Sequence, residues 1–494
     1  VIDQAPALII VIPLICAVLT PIIGRLNKEL CYFWVVSALT ASVVFSVITL
    51  QVVLKSGVIH YYLGNWTPPW GIEYVIDHLN AVMLVLISTI ALLVAIYSKK
   101  SVEQEVSGKT AFYTVFLLQV VGFLGIVITG DLFNLYVFLE VASLAGYGLI
   151  AAGEKGALIA SFRYIIMGTV GACFYLLGVG YLYMVTGSLN IADLANILPD
   201  IYSSKVVLVA FAFFMVGIAI KMALFPLHVW LPDAYTRAPS SASALLAPLM
   251  TKVSIYVMIR IIFTVFKPCF SIETLPVAKI MVWVGIAAII AGAIMALAQT
   301  DFKRMLCYII VAEVGYMVGG IGLANPIAIK GAILHLVNDA VMTLGLFLVA
   351  GIITYKLKSH TLSDFHACFR KIPLTMIAFV ILALSIIGVP PTGGFFSKWY
   401  LIQGAVIAQN WAFVIALLGS SLINIILFFR IIEIGYVFHD SDQNHSHGEE
   451  KIIVSEAPLS MLIPTLMVSA GIILLGFYNQ AIITSIIQFA VPEL

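Results

Sequence analysis

The chain has 494 residues, 62% of them hydrophobic and 10% charged, with a mean hydropathy of +1.11 and a formal net charge of +1. That composition lies far from soluble averages and belongs to a polytopic, all-α membrane protein. Near-neutral charge without a basic run excludes nucleic acid as a partner, and six cysteines without a C-x-x-C pair indicate neither a disulfide framework nor a metal knuckle.

A helix needs about 17 to 25 apolar residues to cross roughly 30 Å of hydrocarbon. Fourteen such spans are expected, at residues 7–23, 31–54, 74–97, 112–129, 132–152, 162–185, 206–224, 242–266, 277–298, 305–323, 327–355, 372–409, 411–438 and 458–478. The first run has its basic residues, Arg25 and Lys28, after it, the reverse of a secretory signal, so it is expected to be retained. Trp66, Trp70 and the prolines between them suggest an interfacial external loop. Residues 191–200 read as a short interfacial helix too short to span. The seventh span runs into Pro226, and the twelfth contains GVPPTGGFFSKWY, so both are expected to be broken helices.

Loops on the side reached after the first span carry fourteen lysines and arginines, among them Arg25, Lys99, Lys155, Arg237, Lys303 and Lys371. The opposite side carries five: Lys55, Lys205, Lys267, Lys279 and Lys330. The richer side is expected to be cytoplasmic, which puts both termini outside the cell membrane. The other six of the 25 basic residues fall inside spans: Arg163, Lys221, Lys252, Arg260, Lys398 and Arg430. Ionisable groups at that depth are costly and mark functional sites by default. Residues 214–260 hold two of these lysines, with Pro226 five positions after Lys221 and Pro248 four before Lys252. Each proline removes a backbone donor and frees a carbonyl that needs protein or water. For any single lysine, snorkelling to the interface or a silent carboxylate pair remains an alternative.

Three local matches share a period. Glu140 in FLEVASLAGY and Glu313 in VAEVGYMVGG, Lys221 and Lys398, and MIRIIFTVF and FFRIIEIGYVF are offset by 173, 177 and 170 residues. The period is about five spans, and an odd number inverts the second copy. The expected organisation is three N-terminal helices (1–110), a first five-helix repeat (111–266), an inverted second repeat (277–438), then a loop and last helix (439–494).

The stretch KMALFPLHVWLPDAYTRAPSSASALLAPLMTKV, the QTDFKRMLCY run, the helix at His335 and GVPPTGGFFSK resemble the antiporter-like subunit family. It includes the D-type subunit of the Mrp cation/proton antiporter and the antiporter-like subunits of respiratory NADH:quinone oxidoreductase and membrane-bound hydrogenases. Length and loop pattern look most like the Mrp D-type and hydrogenase branch, and the long lateral helix of the largest members is not expected. The resemblance implies a proton relay of Glu140, Lys221, Lys252, His335 and Lys398. It departs from the family where many members place a second histidine and a lysine, since this chain has Asp339 and Thr343. Lys252 and His335 must then bridge the middle, with Asp339 expected to hold His335 protonated or to orient it.

Burial disfavours a charged lysine and a nearby carboxylate favours it. Opposite charges about 4 Å apart at an effective dielectric of about 20 interact by about 4 kcal/mol, roughly a thousandfold in proton affinity. Movement of Glu140 towards or away from Lys221 would therefore hold or release a proton. Of the remaining residues, His228 either lines an inlet beside Pro226 or bonds a helix-end carbonyl, and Glu313 is expected to form a structural pair with a neighbouring donor. Arg260, Arg430 and Glu433 either close the far end of the relay or neutralise one another. The segment HDSDQNHSHGEEK from His439 lacks metal-ligand spacing and reads as a solvated loop.

No haem, flavin, iron-sulfur or nucleotide motif is present, so no cofactor or resident metal is expected. The reading is a proton-translocating subunit working with other membrane subunits, in a cation (Na⁺)/proton antiporter or, alternatively, a redox-driven pump. A stand-alone solute transporter and a structural subunit with a vestigial relay are the competing classes.

Overall fold

In the computed structural model, residues 4–365, 368–436 and 455–491 are described; the loop from His439 to Lys451 and the end of the thirteenth expected span lie outside them. The elements in chain order are α1 (Ala5–Leu26), α2 (Lys28–Ser56), β1 (Ile59–Tyr62), β2 (Glu73–Ile76), α3 (His78–Glu105), α4 (Lys109–Ile128), α5 (Leu132–Ala151) and α6 (Ala157–Thr186). They continue with α7 (Ile191–Ile197), α8 (Lys205–Lys221), α9 (Trp230–Arg237), α10 (Ser240–Ile259), α11 (Val277–Leu297), α12 (Phe302–Gly322) and α13 (Pro326–Leu357). The last are α14 (Cys368–Lys371), α15 (Pro373–Ile387), α16 (Gly393–Ile407), α17 (Trp411–Tyr436) and α18 (Leu459–Phe477).

In hydrocarbon every backbone polar group must be satisfied within its own segment, which is why the apolar runs become helices. Twelve helices among the described residues are long and apolar enough to cross a membrane. The expected total of fourteen would count α8 and the α15–α16 pair as one crossing each. Their starts are fixed by side-chain caps: Asn27 on α2, Asp77 on α3, Asp131 on α5, Asp301 on α12 and Asn325 on α13 each accept backbone N–H bonds of the first turn.

Burial sorts the helices into a centre and a rim. The spans of α10 and α12 are 94% buried and that of α13 is 89% buried, whereas those of α1, α2 and α6 are 33% to 39% buried. Polar groups on α10, α12 and α13 therefore meet one another rather than lipid. Small residues bring helices together where no side chain would fit. A Cβ on Gly217 of α8 would lie 2.7 Å from the carbonyl oxygen of Gly171 on α6, and one on Gly285 of α11 would lie 2.8 Å from that of Gly315 on α12.

Two sequence expectations are revised. The third helix begins at His78 instead of residue 74, because Tyr74, Val75 and Ile76 pair with residues 59–61 in an antiparallel hairpin carrying the exposed Trp66 and Trp70 on its connection. Pro248 lies inside an uninterrupted α10, so the wet break expected beside Lys252 is absent there. The eighth span extends past α10 as a wider π-helical turn over residues 260–265. The breaks at 222–229 and 388–392 occur where expected, with Ala223 and Gly388 at positive φ.

Candidate functional site

Lys221 is the last residue of α8, 3% exposed, at the point where the helix stops. Its Nζ donates to Ser143 Oγ at 2.6 Å and lies 3.7 Å from Glu140 Oε1. Glu140 and Ser143 are three residues apart on α5, so one helix face presents both to the ammonium. The same face turns Phe133, Val137 and Leu144 outward, and Glu140 itself is about a quarter exposed.

The central pair is drier. Lys252 of α10 and Asp339 of α13 meet at 2.7 Å with both side chains fully buried, and Asp339 Oδ1 accepts from Thr343 Oγ1 at 2.9 Å. Asp339 thus engages Lys252; it neither protonates nor orients His335 as expected. The carboxylate bonded to His335 is Glu313 of α12, whose Oε2 is 2.6 Å from His335 Nε2, while His335 Nδ1 bonds Ser397 Oγ at 2.9 Å. His335 and Asp339 are four apart on α13, so they stack one turn from each other but face different partners.

Glu313 continues the run. Its Oε1 lies 3.9 Å from Lys398 Nζ, placing it between two residues of the expected relay. Lys398 sits in the second turn after the break between α15 and α16 and donates to the Ile386 carbonyl at 2.6 Å and to Ser421 Oγ at 3.3 Å. Ile386 belongs to the last turn of α15, whose carbonyls have no continuing helix to accept from. Tyr316 adds its ring face, 4.9 Å from the ammonium.

The five expected relay residues therefore fall into three contiguous acid–base groups: Glu140 with Lys221, Asp339 with Lys252, and Glu313 with His335 and Lys398. A gap of about 10 Å³, lined by Lys221 and Ser254 among others, lies between α8 and α10. His228 is buried beside the first break, stacked on Phe225. Arg260 pairs with Asp77 at 2.6 Å and with the Tyr256 hydroxyl at 3.0 Å. Arg430 and Glu433 are exposed on the last turns of α17 and form no ion pair with Arg260 among the described residues. Ser143, Ser397 and Asp77 were missed from sequence. The first two stand one turn from Glu140 and next to Lys398, and that adjacency is the signal that could have found them. No group of three His, Cys, Asp or Glu residues suited to a metal ion occurs among the described residues.

Residues 129–424 match the family described as NADH:quinone oxidoreductase/Mrp antiporter, transmembrane. The chain belongs to this family. Relatives in the antiporter family include NADH-quinone oxidoreductase subunit N of Desulforudis audaxviator, 44% identical over 99% of this chain and 98% of that protein. The D-type subunit of the Na(+)/H(+) antiporter of Alkalihalophilus pseudofirmus is 33% identical over 94% of this chain and 91% of that protein. Among solved structures, a chain of an archaeal membrane-bound sulfane sulfur reductase superposes with a TM-score of 0.90 at 28% identity, covering 98% of this chain and 96% of its own. A chain of the Mrp complex from Dietzia sp. DQ12-45-1b gives 0.86 at 25% identity, covering 99% and 97%. This antiporter-family chain is thus a multi-pass membrane protein whose relatives occur in both antiporters and redox complexes.

Proposed function

We propose that the chain is the proton-translocating subunit of a multisubunit membrane complex, carrying protons through Glu140, Lys221, Lys252, His335 and Lys398 as part of a Na⁺/proton antiporter. Asp339 and Glu313 join these residues as the carboxylates that hold the central and distal bases. The observation that carries the reading is that every buried base of the set has a carboxylate within 4.0 Å. A silent pair needs one such arrangement; three in sequence across the middle of the molecule give a proton successive stations. Each base is costly to charge when alone and easy to charge beside its carboxylate, so small changes in pair distance move the proton.

The second reading, a proton-pumping subunit of a redox-driven complex, is favoured by the 44% identity to an NADH-quinone oxidoreductase subunit. In either setting neighbouring membrane subunits cover the α5 face, because a partly exposed Glu140 on an otherwise apolar stripe is costly against lipid. The positive-inside rule orients the Arg237 and Lys303 face to the cytoplasm and both termini outside. Residues 111–266 and 277–438 act as inverted repeats, supported by the two breaks beside Lys221 and Lys398. Replacing Lys221 with alanine in the native complex tests the proposal. Loss of proton movement with the complex still assembled is the expected result; unchanged transport would return the chain to a structural role.

A further inference from the structure

Around α4, α5, α6 and α9, with Ser143 and Thr169 near Tyr147 and Cys307 near Thr236, several buried polar atoms lack a well-aligned protein hydrogen bond. They are Thr236 Oγ1, the hydroxyls of Tyr235, Tyr164 and Tyr147, and both amide atoms of Gln119. Tyr235 and Gln119 are fully buried, and Tyr164, Tyr147 and Thr236 are 1%, 5% and 7% exposed. Buried polar groups are nearly always paired, with water where protein does not reach. One orphan is an isolated cost, but these five residues are ordered in space.

Thr236 lines a cavity of about 20 Å³ with Glu105, Glu154, Arg237, Lys303 and His360, enough for one water. This cavity opens on the face rich in basic residues. Cys307 stands beside both Thr236 and Tyr235. The Tyr235 ring packs edge-on to Trp230 with centroids 5.9 Å apart, Trp230 stacks on Tyr164 at 4.2 Å, and Tyr164 meets Tyr147 at 4.7 Å. The Tyr164 hydroxyl is within electrostatic range of Tyr235, Tyr147 and Glu140. Gln119 Oε1 borders the same spot, 3.1 Å from where a Cβ on Gly146 would sit. A Cβ on Gly168 would lie 2.0 Å from the Tyr147 hydroxyl, so only glycine leaves room there. Tyr147 is one turn from Ser143, which accepts from Lys221.

We infer that Thr236, Tyr235, Tyr164, Gln119 and Tyr147 form a hydrated inlet that delivers protons from the Arg237 and Lys303 face to the Glu140–Lys221 pair. The inference rests on the relay reading, since it supplies that relay's first station. A phenol both donates and accepts. At each hydroxyl, and at each water between them, an arriving proton forms an O–H bond on one side of the oxygen as the oxygen's own proton leaves to the next acceptor, so no ring is left ionised and rotation resets the step; Gln119, whose amide cannot pass a proton in this way, orients the neighbouring water. The aromatic stack keeps the oxygens in register, and Trp230 Nε1, bonded to the Ile220 carbonyl at 3.0 Å, ties the stack to the end of α8 beside Lys221.

The test uses the intact complex in liposomes with an internal pH dye and an imposed proton gradient. Tyr164→Phe keeps the stack and removes one oxygen; Tyr147→Phe with Tyr164→Phe removes two. The initial proton flux should fall about tenfold for the single variant and about a hundredfold for the double, the lower end of what a positioned proton-transfer group contributes. The flux should also become more sensitive to D₂O than in the wild type, which a packing defect would not produce. Wild-type flux and isotope sensitivity in the double variant, with Lys221→Ala inactive, would overturn the inlet and leave the relay standing. Full flux in Lys221→Ala would remove the relay and the inlet with it. If the double variant fails to assemble, the single variant decides by the same two measurements. A dry tyrosine stack predicts the opposite signature, a raised melting temperature with unchanged flux, because an unsatisfied hydroxyl has been removed.

Discussion

The proposed repeats set Glu140 and Glu313 in matching places, yet their surroundings differ. Glu140 is about a quarter exposed on an outward face and holds one lysine at 3.7 Å. Glu313 is fully buried and touches two bases, His335 at 2.6 Å and Lys398 at 3.9 Å. The first is a carboxylate on a partly open face. The second is clamped between α13 and α16 and can respond only when those helices do. If the proposed relay holds, this difference would make the Glu140 pair its gate and the Glu313 group its transmitter, with Lys252–Asp339 linking the two.

That comparison breaks or sharpens under substitution. The largest effect is expected at the link: Lys252→Met strands Asp339 without its counter-charge and should destabilise the chain by about 3–5 kcal/mol, seen as a loss of assembled complex. The double variant Lys252→Met with Asp339→Leu should recover much of the stability while remaining dead for transport. Recovery of both would show the link to be packing alone. Next is Glu313→Gln, which weakens charge-assisted bonds worth about 1.5–3 kcal/mol each. Its melting temperature should fall together with proton flux.

Glu140→Gln should separate these readouts. Stability should fall less than in Lys252→Met, because Glu140 is partly solvated and Ser143 still accepts from Lys221, while proton flux is lost. A large stability loss at Glu140 would erase the distinction between a partly open and a clamped carboxylate. The smallest effect lies outside the spans, at Asp301. Burial raises its affinity for a proton, but its bonds to His360 and to the Arg304 backbone N–H outweigh this and hold the carboxyl below its ordinary range. A depressed carboxylate stabilises the fold above the unfolded value of about 3.9 and loses that contribution as pH falls through the lower folded value. Asp301→Ala should cost about 1 kcal/mol as a lost cap, and the cost should vanish in acid melts.

The three buried lysines were legible because charge in an apolar run has no local explanation, and the breaks because Pro226 and the clustered Pro390, Pro391, Gly393 and Gly394 interrupt the backbone ladder, as the single Pro248 does not. The pairing was less legible. Lys252 and Asp339 are far apart in sequence, and the one-turn spacing of His335 and Asp339 suggested a pair that the facing helices do not make. Adjacency within a helix is local, whereas the choice of partner is settled by which helix packs opposite. The same limit hid the tyrosines of α5, α6 and α9, each an ordinary core residue until the orphaned oxygens are seen together. The β1–β2 hairpin escaped because its four-residue strands sit beside longer apolar helices and are joined by the long connection of residues 63–72 rather than by a two-residue turn.

The ammonium of Lys398 is cradled by a backbone oxygen at the cut end of α15 as well as by side chains. A backbone oxygen has no rotamer with which to swing away, so the grip loosens when Lys398 itself changes rotamer or when one half-helix slides against the other. A displacement of about an ångström at that seam is enough to lengthen a 2.6 Å bond beyond useful range. Under the proposed relay, the fracture in the helix would act as a mechanical coupling, through which motion elsewhere in an assembly becomes a change in how tightly one hydrogen ion is held.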